Sequence, residues 1–563
     1  MDTLLRTRGR RWVSGLLIVA ATVGAAGCVG VLDGDPATTG GPTPTPEGET
    51  AEHGVRLPRL SHAQWARTVQ AFLRLTDPPL TKGLRNDPPT DETFETDDRL
   101  RTIDTTLVRD YRTEAEALAE QTFSNGEAFA KLVVDGGEGD ALTRLRRLIT
   151  VAWPRAYRRP LTPEEIERYV AIGLAEPDYA AAGSDDERLK IALRVLVRIT
   201  LQSPHFIYRV ELGDASAEVQ QGKYRVRPLT ANEYATRLAY TLFDAPPDEA
   251  LIAAVTAGGP AFDVSKLVDD PRAAETLLRF HKALYEVEAS SSMIKDSGKF
   301  PGMENLGIDA AKEAALFLDD VVKNGGSFRD LLLSRATFVN QRLASIYGLP
   351  TDGLTADTFS PFELPAERAG ILTRVSWTGH GADLIERSSI LRGVYVTRKL
   401  LCTPLAAPPK GAVEGAPKAP PELISNRDRV SFQTGGGSCA GCHKQVINPN
   451  GFAFEGFDAI GKFLTDEYGM KVDSTGETSL DGERVSFTGA RDFLEKAAEA
   501  EQTHGCYVNH LDSWVLGRNL AEFERADAAP TVGRSVHDRA SVRAILTSLL
   551  TAPAFRSVVR EVP

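Results

Sequence analysis

Leu161-Thr162-Pro163-Glu164-Glu165-Ile166 is the stretch from which the fold class of this chain is read. A hydroxyl at Thr162 accepts from the backbone three residues on, and Glu165 reaches back to the cap, so two orphan amides of a helix start are satisfied together. Pro163 sits at the first helical position, where a missing N–H costs nothing. Leu161 and Ile166 close over the cap as a hydrophobic staple. The same pattern stands at Leu60-Ser61-His62-Ala63-Gln64-Trp65 and at Leu229-Thr230-Ala231-Asn232-Glu233-Tyr234. Three such starts predict the first helices of three helical modules, over 55–130, 138–211 and 223–350. Their irregular spacing excludes a solenoid. Helical periodicity continues in 164–175, 185–202, 311–323, 328–333 and 340–349, and again in a last module over 490–562. Short β-like pieces lie between 472 and 488, broken by Gly476 and Gly482. The expected class is mainly α, with several helical modules and minor β pieces.

Between the third and last modules, over 366–470, the chemistry changes. Cys439-Ala440-Gly441-Cys442-His443 has the spacing of a c-type haem attachment motif. Two thiols one turn apart add to the porphyrin vinyl groups, and the following imidazole reaches the iron. Zinc is the other reading, but it needs four ligands, and no second CxxC or HxxxH occurs. A redox CxxC should open a helix after a strand; here Gly435-Gly436-Gly437-Ser438 precedes it. The motif therefore predicts one covalent haem c with His443 as the first axial ligand. For the opposite face the candidates are Met470, His380, another residue (His504 and His510 being weaker candidates) or none, which separates a closed electron-transfer iron from an open one. His504 and His510 read as helix-face residues.

The polar cluster His380, Asp383, Glu386, Arg387, Ser388, Ser389 and Arg392 reads as a helix start with an internal salt bridge from arginine to Asp383 or Glu386. An anion site, or groups near the iron, is the alternative. Asn448-Pro449-Asn450-Gly451 reads as a turn, and Phe452, Phe454 and Phe457 as an apolar wall for a porphyrin or as core. The acidic loop 87–98 does not have EF-hand spacing and reads as solvated.

Residues 1–28 have the form of a secretory signal: Arg6, Arg8, Arg10 and Arg11, an apolar run from Val13 to Val23, then Ala25-Ala26-Gly27-Cys28. The last four resemble a bacterial lipobox, which makes Cys28 the expected lipidation site and the membrane a partner through that lipid. Ordinary cleavage near Ala26 is the alternative. Residues 29–54 are rich in Pro, Thr, Gly and Glu and read as a disordered tether. Val29 lacks the Asp of inner-membrane retention, so the expected place is the cell envelope, on the periplasmic side or the outer-membrane surface.

Five cysteines are present. With Cys28 lipidated and Cys439 and Cys442 on haem, Cys402 and Cys506 remain, and in an oxidising compartment the expected state is a disulfide; two buried thiols are the alternative. The formal net charge is −12, which argues against nucleic acid as a partner. No G-x-S-x-G, HExxH or Walker motif occurs.

Further stretches carry a resemblance: Tyr157-Arg158-Arg159-Pro160-Leu161-Thr162, Ser203-Pro204-His205-Phe206-Ile207-Tyr208-Arg209, Phe338-Val339-Asn340, Arg368-Ala369-Gly370-Ile371-Leu372, Leu391-Arg392-Gly393, Gly451-Phe452-Ala453-Phe454-Glu455 and Phe457-Asp458-Ala459-Ile460-Gly461. With them the chain resembles a family of secreted bacterial proteins, frequent in planctomycetes and myxobacteria, built from five tandem modules of unknown function. The resemblance implies a mostly helical protein with a cytochrome-c-like CxxCH segment toward its end, and implies no particular reaction. Three functions follow as expectations. The first is a lipid-anchored haem protein passing electrons to or from a redox partner protein. The second is a peroxidase-like haem oxidoreductase, and the third a binding or scaffold lipoprotein with a structural haem or metal. Whether the chain is an enzyme is left open by its sequence.

Overall fold

The computed structural model describes residues 57–562 apart from 86, 88–93, 99–100 and 409–416. The signal segment, Cys28 and the tether lie outside the described residues. The fold is mainly α, with four small antiparallel sheets among the described residues. Among the described residues no helix is long and apolar enough to cross a membrane.

All three capping boxes form. Ser61 and Gln64 start helix His62–Leu73, Thr162 and Glu165 start Pro163–Leu174, and Thr230 and Glu233 start Ala231–Phe243. Helices Asp185–Leu201 and Phe328–Leu333 fall where the periodicity places them. Helix Gln341–Tyr347 ends on Gly348 in the left-handed region, φ 70°. The β-like stretch is a hairpin, Thr475–Leu480 against Glu483–Thr488; Gly476 lies inside its first strand and Gly482 in the turn.

Packing crosses the module boundaries. Helices from 62–124 and 141–201 close one core around Trp65, Phe72, Trp153 and Phe206. A second, larger core runs from Tyr234 to Phe555 and joins the third helical segment to the haem-motif segment and the last helices. A three-stranded sheet ties remote segments together: Tyr224–Pro228 pairs with Val219–Gln221 and with Ser557–Glu561, Val226 facing Val559. The loop expected to be solvated contributes as well. Asp87 pairs with the buried Arg59, and Phe94 packs on Phe280 and Trp514. An acidic stretch read for its charge hides these two anchors.

Buried arginines hold the junctions. Arg158, in the left-handed region at φ 57°, donates to the carbonyls of His205, Phe206 and Tyr208 at 2.6–3.2 Å. Arg237 pairs with Glu211 and donates to Phe555 O and Ser557 O. Arg374 pairs with Glu313 at 2.8 Å and lies over the Phe317 ring. Arg392 donates to Thr378 O, Phe454 O, Phe457 O and Asp458 O at 2.5–3.0 Å. A planar guanidinium with five donors suits this work, since loops that pass through a core bring carbonyls that must be paired.

One buried carboxyl makes stability depend on pH. Asp512, on helix Glu501–Leu516, is 3% exposed. Burial, then Glu524 and Asp527, push its pKa up from 3.8 to about 8 against the pull of Arg518. A raised acid stabilises the fold while it stays protonated, so its contribution is complete below pH 3.8 and is lost as pH rises through about 8. Asp512→Asn is therefore expected to resist urea better than the parent at about pH 9, by a margin that shrinks at about pH 5. A margin equal at both pH values would show that this carboxyl is not protonated in the fold.

Candidate haem site

The CxxCH motif lies on short helical turns, Gly437–Cys439, Ala440–Cys442 and His443–Ile447, that lead into helix Asn448–Phe452. Asn448-Pro449-Asn450-Gly451 is thus helical, not the turn expected from its composition. Pro449 falls in the first turn of that helix, where it is tolerated, and the two asparagines point inward, 4% and 2% exposed.

Their hydrogen bonds fix the histidine. Thr434 Oγ1 donates to Val430 O at 2.6 Å, which leaves it to accept from Asn448 Nδ2 at 2.8 Å. Asn448 must then face His443 with its oxygen, and Oδ1 lies 3.1 Å from His443 Nδ1. The imidazole proton is therefore on Nδ1 and the lone pair on Nε2, which has no hydrogen bond among the described residues. Asn450 is held in the same way, accepting from Thr478 Oγ1 at 2.7 Å and donating to Thr397 Oγ1 at 3.0 Å. Cys439 and Cys442 are free thiols, half-buried and exposed. Two accessible thiols and an imidazole with its metal-binding nitrogen unbonded fit the attachment of haem.

The helix Ser389–Tyr395 backs this site at backbone contact. A Cβ on Gly393 would lie 2.1 Å from Ile447 O, and one on Gly451 1.8 Å from Ser389 O. Glycine is required at both positions by close approach. Glu455, 1% exposed, then ties three segments: it accepts from Arg387 Nε at 2.8 Å, from Ser389 Oγ and from Asn426 Nδ2 at 2.9 Å. Arg387 also pairs with Glu467. Its partners are Glu455 and Glu467 rather than the sequence-local Asp383 or Glu386, because the loop turns that carboxylate pair out and the fold brings a remote one in. Ser388 caps the helix and Arg392 is spent on carbonyls, so no anion site is formed by these residues. The three phenylalanines belong to the core: Phe454 packs on Trp377 at 4.6 Å, Phe457 on Phe463 at 5.5 Å, and Phe452 lies under Arg427.

The ligand candidates for the second face are placed apart. Met470 is 36% exposed on the hairpin Asp466–Glu467/Met470–Lys471, whose turn has positive φ at Tyr468 and Gly469. His380 lines a cavity of about 730 Å³ with Glu286, Tyr395, Arg398, Cys402 and His510. Neither His443 nor Met470 lines that cavity. Lys295 pins the loop of His380 by donating to the carbonyls of Gly379, Ala382 and Asp383 at 2.8–3.3 Å; burial draws that amine down to about 8. His504 is buried with both nitrogens used, by Ser535 and Ala498 O. Cys402 and Cys506 are joined in a disulfide with Cα atoms 5.4 Å apart. His510, read in sequence as a helix-face residue, stands beside that bridge. Its four-residue spacing from Cys506 on one helix was the signal that it faces the same way.

Four family models, each described as a protein of unknown function, match the chain in succession: DUF1587 over 58–124, DUF1595 over 144–211, DUF1592 over 229–349 and DUF1588 over 368–467. The last model, PSCyt3, spans the CxxCH motif, and its name points to a cytochrome-like module. No curated protein and no solved structure matches the chain. The chain is therefore similar, in tandem, to four families of unknown function, where the sequence resemblance implied five modules.

Proposed function

We propose that this chain is a cell-envelope lipoprotein that binds one haem c through Cys439, Cys442 and His443 and exchanges electrons with a partner protein. The observation that carries the reading is the Thr434–Asn448–His443 relay, which holds the imidazole with Nε2 free beside two free thiols. Bound there, haem supplies a one-electron iron couple. The residues of the chain do the rest: the thiols hold the group against loss, Asn448 fixes the ring and its tautomer, and Glu455 fixes the segments around it. Strengthening the Nδ1–H bond makes the imidazole a better donor and favours the oxidised iron.

A second reading, a haem-dependent oxidoreductase, has the 730 Å³ cavity beside helix Ser389–Tyr395 as a pocket of the right size for a small substrate, although none of Cys439, Cys442 and His443 lines it. The two readings separate in one experiment: reduced-minus-oxidised and carbon monoxide difference spectra of the protein exported with haem maturation genes. A c-type spectrum without a carbon monoxide response supports electron transfer. A carbon monoxide response supports the enzyme. A chain without haem overturns both.

The lipid anchor rests on the Ala25-Ala26-Gly27-Cys28 sequence and on the tether after it. Cys28→Ser is expected to move the protein from the membrane fraction to the soluble fraction; unchanged partitioning would remove the anchor.

A further inference from the structure

We propose that Cys402, Cys506 and His510 form a second metal site, open when their disulfide is reduced, that takes a thiophilic ion of the zinc class with its fourth position facing the 730 Å³ cavity.

The three donor atoms already converge, all within 4.8 Å of one another. His510 Nε2 lies 3.7 Å from Cys402 Sγ and 3.5 Å from Cys506 Sγ. In a tetrahedral zinc site with bonds of about 2.3 Å to sulfur and 2.05 Å to nitrogen, each N···S edge is about 3.6 Å. Two of the three edges are therefore in place. Only the bonded sulfur–sulfur edge must open, to about 3.8 Å. Cys402 is exposed and lies just after helix 396–400, with its neighbours Leu401 and Thr403 held to Val396 O and Thr397 O, while Cys506 is fixed on helix Glu501–Leu516, so the opening falls to the side-chain torsions of Cys402.

The chemistry of the donors agrees. A metal ligand must be unprotonated, and two thiolates with one neutral imidazole suit a thiophilic divalent ion. Lys399 O lies 3.2 Å from Nε2 and 3.4 Å from Cys506 Sγ. It accepts the Nε2 proton in the bridged state, and that proton moves to Nδ1 when Nε2 binds a metal. Three protein ligands with an open fourth position is the arrangement of zinc sites that bind a further small ligand. Here the open side is set by the cavity, which both Cys402 and His510 line.

The step balances. A dithiol reductant gives two electrons and two protons to the bridge and leaves as its own disulfide, producing the Cys402 and Cys506 thiols. A divalent ion then displaces both protons and binds two thiolates and the imidazole. This site does not depend on the haem proposal, although the haem thiols must be silenced in the test.

The experiment uses the haem-loaded full chain, in which Cys439 and Cys442 are thioethers. If the chain carries no haem, Cys439→Ala/Cys442→Ala takes its place, so the two proposals fail separately. Co2+ is added before and after reduction, and thiolate-to-cobalt charge-transfer absorption and tetrahedral ligand-field bands are read. The expected result is one Co2+ per chain after reduction and none before, displaced by Zn2+. His510→Ala, which retains the bridge, is expected to weaken binding by about tenfold or more, and Cys402→Ser to abolish the charge-transfer band. No thiolate band in the reduced chain overturns the proposal. So does equal binding in Cys402→Ser, which would place the ion elsewhere. If reduction unfolds the chain, metal is expected to restore the fold by circular dichroism; failure to restore it also overturns the proposal.

Discussion

Arg392→Ala is expected to destabilise the protein by about 3–5 kcal/mol, seen as a lower urea midpoint. Its guanidinium is 1% exposed and reaches four main-chain carbonyls, one at the end of helix Val375–Thr378 and three from the segment 454–458. Burial draws its pKa down only to about 10, so the charge is present at neutral pH and its hydrogen bonds are charge-assisted. Alanine takes the donor from the carbonyls of Thr378 and Phe457, while Phe454 O and Asp458 O keep those of Phe457 N and Gly461 N; each buried acceptor left without a partner costs about 1–3 kcal/mol. Relief of the arginine's own desolvation offsets part of this. Arg392→Lys is expected to fall between, because an ammonium cannot span four acceptors with a fork. A loss below about 1 kcal/mol in the alanine variant would mean that the loops satisfy their carbonyls without it.

The second large effect is on cofactor retention. Cys439→Ala/Cys442→Ala is expected to hold no haem after denaturation and solvent extraction, where the parent keeps it bound. Asn448→Leu separates attachment from ligation. The thiols remain, so the haem stays covalent. The leucine removes the acceptor of His443 Nδ1 and leaves Thr434 Oγ1 without its donor. With the tautomer and ring orientation released, the iron is expected to show a weakened imidazole bond, as a shifted potential and a ligand-exchange response at lower competitor concentration. Second-shell losses of this kind change metal affinity by about 10–100-fold. A potential and spectrum equal to the parent's would show that Asn448 does not orient the ring.

Much of the helical framework is legible in the chain because its signals are local. Each capping box needs only four residues, and Ser61, Thr162 and Thr230 all declare a helix before any tertiary contact exists. Gly348 and the Gly482 turn are equally local. The CxxCH motif is local too. Three things are hidden because the fold supplies their partners: from far away in sequence for Arg387 and His510, and from 5 and 14 residues away for Asn448. Asn448 looks like a turn residue until Thr434 and His443 close around it. Arg387 looks bound to Asp383 or Glu386 until Glu455 arrives from 68 residues on. His510 looks like a helix face until Cys402, 108 residues earlier, is placed beside it. Composition also misleads in 87–98, where charge density masks Asp87 and Phe94 as anchors of two different cores.

The bridge between Cys402 and Cys506 spans 104 residues and encloses the haem motif. During synthesis Cys402 therefore emerges before Cys439 and Cys442, and Cys506 emerges last. Cys402 meets two wrong partners before its own partner exists. The proposed haem attachment would require Cys439 and Cys442 reduced at the moment when an oxidising compartment favours pairing them with Cys402 or with each other. If haem is attached as proposed, maturation becomes a race between oxidation and thioether formation, and oxidation that comes too early traps a haemless isomer until thiol–disulfide exchange reopens it.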